Sequence, residues 1–425
     1  PGDEPFPGSN RWFGSEAQHG PYIAQETTIE NFMHIEPIFT FPETDEMSLR
    51  LSRVRAEMEK QGLDYYVAQC PDNVFYLTNF ANYVHERPFV LVIPKTGNLK
   101  FVVPKLEIPH VNARKVGEVD LVEYFEFPAP VGQTWADRFK DQFQSGTKPE
   151  GFRIGVESIC PLQVYEEVPG TAVRTDIVDD MRQVKTAFEI SRIKYSSDLA
   201  VNGLTTLLAN ARPGTTLMEV HSSITGQMMG KALTDMPNTN MVCSKVSAIF
   251  QPPRVSDDPH NFTDVNMAMV EGGPHVCVIN GTINGYGTEV ERTFFLGHVP
   301  EAARKPYEVM MEARAKAYEL AVPGNVMHDV DEAVNKVMKK AGYEDNLLHR
   351  TGHSIGVTGH EAPFLAEGYH REIQPGMFFT IEPGIYLPGV GGFRHSDTVM
   401  TTDNGNLSMT PVADSLEAMT LPLKD

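Results

Sequence analysis

Three short segments in the second half of the chain carry the residue types that do chemistry. In Gly285-Tyr286-Gly287-Thr288-Glu289-Val290-Glu291-Arg292-Thr293-Phe294, the period of an extended strand puts Glu289, Glu291 and Thr293 on one face. Val290, Arg292 and Phe294 take the other. Two carboxylates side by side repel each other unless a cation lies between them, be it a metal ion, a guanidinium or an ammonium. The plainer alternatives are an exposed acidic edge, or a structural pair between Glu289 and Arg292. In Thr351-Gly352-His353-Ser354-Ile355-Gly356-Val357-Thr358-Gly359-His360, two histidines in a glycine-broken loop cannot share one long helix and are expected to line a cavity from a turn. In Met377-Phe378-Phe379-Thr380-Ile381-Glu382-Pro383, a lone carboxylate closes an apolar strand, an expensive place for a charge without a cationic partner.

Positioning such residues takes a rigid frame, and the second half supplies its pattern. Helical windows at 184–211, 215–233, 301–321 and 326–342 alternate with strands around 275–280, 289–296, 377–382 and 397–401. Ala211-Arg212-Pro213-Gly214 is echoed by Ala321-Val322-Pro323-Gly324, each joining one helix to the next through a Pro-Gly turn. Two α+β halves of about 110 residues related by a pseudo-twofold would bury both helix layers on one curved sheet and leave a pit between them. The first half reads differently. A helix begins at Thr44 or Asp45, buries Leu49, Leu51, Val54 and Met58, and stops at Gly62. Strands at Tyr65 to Ala68, Phe89 to Ile93, Leu99 to Val103 and Arg153 to Val156 follow, giving an α/β domain. The expected division is an arm over 1–45, an α/β domain over 46–180 and a catalytic α+β domain over 181–425.

Composition narrows the function. With 36 basic against 56 acidic side chains, the net charge of −20 repels phosphate backbones and anionic lipid, so neither nucleic acid nor a membrane is an expected partner. A hydrophobic share of 41% with 22% charged residues is that of an ordinary globular chain. No apolar run approaches the roughly 18 residues of a membrane span, and the first residues lack the basic and apolar regions of a signal peptide. A cytoplasmic location is the expectation. Cys70, Cys160, Cys243 and Cys277 form no CxxC pair, which argues against a disulfide framework or a thiolate zinc site. Gly-rich phosphate loops are absent, and no cofactor is expected.

Taken in order, the three segments, the Pro-Gly repeat and Gly391-Gly392-Phe393-Arg394-His395-Ser396-Asp397-Thr398 resemble the pita-bread family of creatinase, aminopeptidase P, prolidase and methionine aminopeptidase, peptidase family M24. The resemblance runs from residue 45 to 425 and implies an α/β N-terminal domain followed by an α+β pita-bread domain. Most members hold two metal ions on two Asp, one His and two Glu. Carried over by position, His353 and Glu382 match two of these ligands and Glu289 stands for the second Asp. No carboxylate occurs from Val278 to Asn280, where the first Asp belongs, and Ser396 replaces the last Glu. A dinuclear site is therefore not expected, since two close cations need bridging carboxylates. A single ion on Glu289, His353 and Glu382 is the alternative.

Creatinase, the member that works without metal, is the nearer likeness. His260, in Asp257-Asp258-Pro259-His260-Asn261, falls at its acid/base histidine. Glu291 and Glu382 match the carboxylates that grip a guanidinium, and Arg87, in His85-Glu86-Arg87-Pro88-Phe89, matches the arginine that binds the substrate carboxylate. In that family the first domain of one subunit closes the pit of its partner, which implies a homodimer. A second arginine is missing, with Phe364 in its place and Arg371 the nearest substitute. The resemblance thus implies a metal-independent hydrolase cleaving a C–N bond in a small zwitterionic amidino or guanidino compound. His260 would move the proton, His353 and His360 would orient the reacting carbon, and Glu289 would assist with the cation. Arg394 and Asp397 are expected to be scaffolding. The alternatives are an Xaa-Pro metallopeptidase with a degenerate site, a lyase on a sulfonium or betaine zwitterion, and a binding protein that has lost the reaction.

Overall fold

The computed structural model describes residues 38–143 and 151–424. Most of the expected N-terminal arm lies outside them. Its last residues rest on the long helix Ala187–Asn210, where the Ile38 amide donates to Ser191 Oγ (2.9 Å) and Phe39 meets Tyr195 edge to face.

The helix Thr44–Lys60 and a six-stranded sheet build the first half. The strands run in the order Val119–Tyr124, Leu99–Pro104, Val90–Pro94, Tyr65–Ala68, Arg153–Val156, Thr171–Arg174. Tyr65–Ala68 is buried at every position, because helices and the second half cover both faces.

In the second half a seven-stranded sheet follows the path Phe378–Ile381, Ser396–Thr402, Tyr286–Leu296, Gly272–Ile283, Lys245–Gln251, with Gly405–Ser408 paired to Ser396–Thr402 and Thr420–Leu421 to Tyr286–Leu296 off that path. Four helices pack on it: Ala187–Asn210, Leu217–Asp235, Glu301–Leu320 and Met327–Lys340. All four fall within the windows read from periodicity, or within two residues of them. The repeat is visible as duplicated hydrogen bonding. The Gly214 amide donates to the Met269 carbonyl and the Gly324 amide to the Ile373 carbonyl, both at 2.9 Å. A β-bridge follows each turn, Thr216 to Ala268 and Val326 to Glu372. Gly214 and Gly324 sit at φ of +88° and +90°, a conformation in which a Cβ would be strained.

The two halves share a core. Phe75, Tyr76 and Phe80 of the first pack into one apolar cluster with Tyr286, Ile355, Val357 and Phe378 of the second. Arg50 is sealed into this junction, donating to the Tyr76 carbonyl (2.7 Å) and to Tyr286 Oη (3.0 Å). Among the described residues no helix is long and apolar enough to cross a membrane.

Candidate functional site

The strand Tyr286–Leu296 carries the acidic face of the pit, and its alternation is as read from the sequence. Its reverse face is structural. Arg292 donates to Asp397 Oδ1 (3.0 Å), and Arg314, Tyr318 and Thr410 complete the shell of that carboxylate. Asp397 is the scaffold residue expected. Arg292 is turned away from Glu289, so the structural pair considered for those two does not form.

On the pit face each carboxylate has a different partner. Glu291 is gripped by Arg394, whose Nη2 donates to Oε1 at 2.8 Å while Nε meets Oε2. The antiparallel register, Glu291 opposite Ser396, brings Arg394 across. Arg394 also donates through Nη1 to Tyr386 Oη (2.8 Å), and that hydroxyl bonds His349 Nε2 (2.7 Å). Glu382 Oε1 accepts from Thr380 Oγ1 at 2.8 Å and lies 3.2 Å from His353 Nε2. Glu289 has neither kind of cation. Its side-chain hydrogen bond comes from Ser396 Oγ, at 3.1 Å.

The electrostatics follow from these partners. Burial works to lower the His353 imidazole, but the hydrogen bond and charge of Glu382, with Glu289 behind it, lift it to about 9. Glu382 in turn, although burial raises it, is held well below the usual carboxylate range, mainly by His353. Burial and the neighbouring carboxylates raise Glu291 while Arg394 draws it down. A two-point guanidinium fork favours the ionised form, so Glu291 and Arg394 are an ion pair. Glu289 is raised by burial and by the charge of Glu382. Three carboxylates thus face two cations, Arg394 and His353, and Glu289 is the one left over.

His353 and His360 stack with ring centroids 3.7 Å apart and planes at 19°. Burial and the charge of His353 lower His360 to about 4, so the stacked pair holds one charged and one neutral ring near pH 7. His260 is exposed and lies near enough to His349 and His360 to bear on them electrostatically.

The donor chemistry tests which metal load fits. Two ions do not fit: Val278 and Ser396 supply no carboxylate, and a buried guanidinium already neutralises Glu291. One ion does. Donor atoms of Glu289, His353 and His360 lie within 4.8 Å of one another, as do those of Glu289, Glu291 and Glu382. The His353 ring is also oriented for ligation, because Nδ1 faces the Ser354 carbonyl at 2.9 Å and leaves Nε2 to the pit. Glu289 belongs to both groups, and His360 takes the place given to Glu382 in the sequence-based triad.

Within its own chain Arg87 pairs with Glu86 and with Glu126 (2.7 Å) inside the first half, whereas the resemblance sets it at the pit of a partner subunit. Three expectations need correction. Arg371 does not replace the missing arginine, because it turns to Asp180 (3.0 Å). Glu291 is not free to grip a substrate cation. Arg394 is not mere scaffolding but the fixed cation of the site. His260, His353, His360, Glu289 and Glu382 do converge. Sequence reasoning missed His349, Tyr386 and Arg350. For His349, Tyr386 and Arg350 no local signal exists.

The comparisons agree with this architecture. The metallopeptidase family M24 matches residues 191–403, and the creatinase/prolidase N-terminal domain matches 50–184. YkvY of Bacillus subtilis (strain 168), whose name assigns it provisionally as a dipeptidase, is 28% identical over 373 residues, 85% of this chain and 97% of its own. An uncharacterized peptidase of Staphylococcus saprophyticus is 28% identical over 371 residues, 85% and 99% of the two chains. Among solved structures, prolidase from Pyrococcus horikoshii superposes with a TM-score of 0.74 at 23% identity, covering 87% of this chain and 99% of that one. The N-terminal domain of the FACT subunit SPT16 from chickpea gives 0.73 at 13% identity over 90% and 100%, so the fold is shared with a chain described as something other than a peptidase. These relatives support the family and its hydrolase class, and do not support the creatinase-like branch. With the pita-bread sheet, its duplicated helix pairs and the preceding α/β half all in place, the chain belongs to metallopeptidase family M24.

Proposed function

We propose that the chain is a hydrolase of a peptide-type C–N bond in a small dipeptide-like substrate, working with one divalent ion rather than two. The observation that carries this reading is Glu289, a buried carboxylate beside His353, His360 and Glu382 with a serine hydroxyl but no cation for a partner. The names of the relatives supply the substrate class.

Glu289, His353 and His360 would hold the ion, which supplies polarisation of the scissile carbonyl and a water acidified toward neutral pH. The protein's own groups do the rest. The Ser354 carbonyl orients His353 through Nδ1, and Thr380 donates to Glu382 beside it. Arg394, held by Tyr386, pins and neutralises Glu291, so that Glu289 is the carboxylate left for the ion. His260, at the solvent side, returns a proton to the leaving nitrogen.

A second reading keeps Glu289 for the substrate's own cation, as in the metal-independent creatinase-like hydrolase. Val278 and Ser396, apolar and hydroxylic where the family pattern has carboxylates, favour it. Elemental analysis of protein purified without chelator separates the two, together with release of proline from Ala-Pro before and after chelation. About one ion per chain and activity lost with it support the first reading. Less than about 0.1 ion per chain, with no Ala-Pro cleavage but turnover of a guanidino zwitterion, replaces it by the second.

A further inference from the structure

A buried ammonium joins the residues that follow the two stacked histidines. Lys185 lies between the helices Ile177–Arg182 and Ala187–Asn210, and its side chain is fully buried. Its main chain is fixed: the Lys185 amide donates to the Gly376 carbonyl (3.0 Å), and Val184 forms a β-bridge with Met377. From there Nζ donates to Ser354 Oγ at 3.0 Å and to Glu361 Oε1 at 2.9 Å. Ser354 follows His353 and Glu361 follows His360, and the two are cross-strand partners at the bulge of their hairpin.

Each end passes the restraint to a ring. The Ser354 carbonyl faces His353 Nδ1 at 2.9 Å, which leaves Nε2 to the pit. Glu361 Oε2 accepts from the Thr358 amide (3.2 Å) and from Thr358 Oγ1 (3.1 Å), which closes the turn that carries His360. Gly356 leaves room for this clasp, since a Cβ there would collide with Glu361 Oε1 and stand 3.1 Å from Lys185 Cε. An ammonium buried this deeply is costly, and an apolar chain of the same length would fill the space without that cost. What the charge adds is two directed hydrogen bonds from one fixed point.

We propose that Lys185 is the positioning residue of the stacked pair, holding His353 and His360 at a preset spacing so that both meet a divalent ion without rearrangement. This rests on the reading of the pit as a single-ion site, and Lys185 acts there through Ser354 and Glu361.

The test titrates the full, metal-stripped chain with cobalt(II), followed by visible absorption, and measures hydrogen exchange of the same protein without the ion. Lys185→Met keeps the length of the side chain and leaves Glu361 paired with Arg182, so that carboxylate is not stranded. The variant is expected to bind cobalt(II) about 10- to 100-fold more weakly, the usual loss when a group behind a metal ligand is removed. Its exchange within 352–361 should quicken by about tenfold or more, the loss of one hydrogen bond to a charged group, with the parent's rates kept elsewhere. Lys185→Arg should restore part of both. Cobalt(II) affinity within about twofold of the parent, or exchange that is unchanged or quickened evenly along the chain, overturns the proposal. A parent that binds no cobalt(II) discards the single-ion reading instead. Exchange of the ion-free proteins then decides: quickening confined to 352–361 keeps Lys185 as the clasp of the stack, and any other pattern overturns it.

Discussion

Removing Arg394 is the sharpest perturbation of the charge arrangement. Arg394 and Glu291 are 4% and 3% exposed, and their fork joins residues 103 positions apart. Arg394→Met would leave Glu291 buried beside Glu289 and Glu382 with His353 as the remaining cation. Breaking one partner of a buried pair costs about 3–5 kcal/mol. At about 2–4 °C per kcal/mol for a domain of 150–250 residues, the melting midpoint should fall by about 6–20 °C. The deficit has a pH signature. Without Arg394 the Glu291 carboxyl titrates higher in the folded protein than in the unfolded chain, so it destabilises wherever the unfolded chain is ionised and the loss widens from pH 5 toward pH 9. The double variant Arg394→Met with Glu291→Gln removes both charges and should recover most of the midpoint. Scanning fluorimetry of the three metal-stripped proteins at pH 6 and pH 9 makes the comparison. A single variant that melts within about 1 °C of the parent at pH 9, or a double variant no better than the single, would refute the assignment of Glu291 and Arg394 as an ion pair.

His353 must give up its Nε2 proton to ligate, and that proton is held to about 9, so apparent affinity for a divalent ion should rise about tenfold per pH unit from 7 to 9 and then level off. Competition titration with a metal-sensitive dye checks this, and a flat profile would remove His353 from the ligand set. Arg87→Ala should leave the melting midpoint essentially unchanged, because its pairs with Glu86 and Glu126 are solvent-facing. Its KM should match the parent within about twofold if each pit is complete in one chain. A larger rise in KM would restore Arg87 to a pit, that of a partner subunit.

Much of the frame could be read because its signals are local. The windows 215–233 and 301–321 found their helices, and the Pro-Gly echo located both turns of the repeat. Lys245–Gln251 was passed over although Val246, Ala248 and Phe250 alternate inward. Thr171–Arg174 is a four-residue edge strand with no fully buried position, too short and too wet to leave a pattern. The site divides in the same way. Glu289, His353, His360 and Glu382 could be named because their motifs are contiguous. Which carboxylate keeps a cation could not, because Arg394 reaches Glu291 only through strand pairing, and the Arg350 guanidinium reaches the Phe364 ring only through the bulged register beside His353. The pairing of Arg87 with Glu126, 39 residues on, left no local signal either.

The loop that carries His360 has a tether outside the pit. Glu361 is bound by Lys185 (2.9 Å) and Arg182; Arg182 donates to Asn73 (2.8 Å), and Asn73 to the buried Glu157 (2.7 Å). The imidazole next to Glu361 is therefore aimed from the α/β half, which gives the pit none of its reacting groups. A chimera that kept the pita-bread half intact but borrowed the α/β half of a relative would inherit a misplaced His360, so the two halves of this enzyme are constrained to change together.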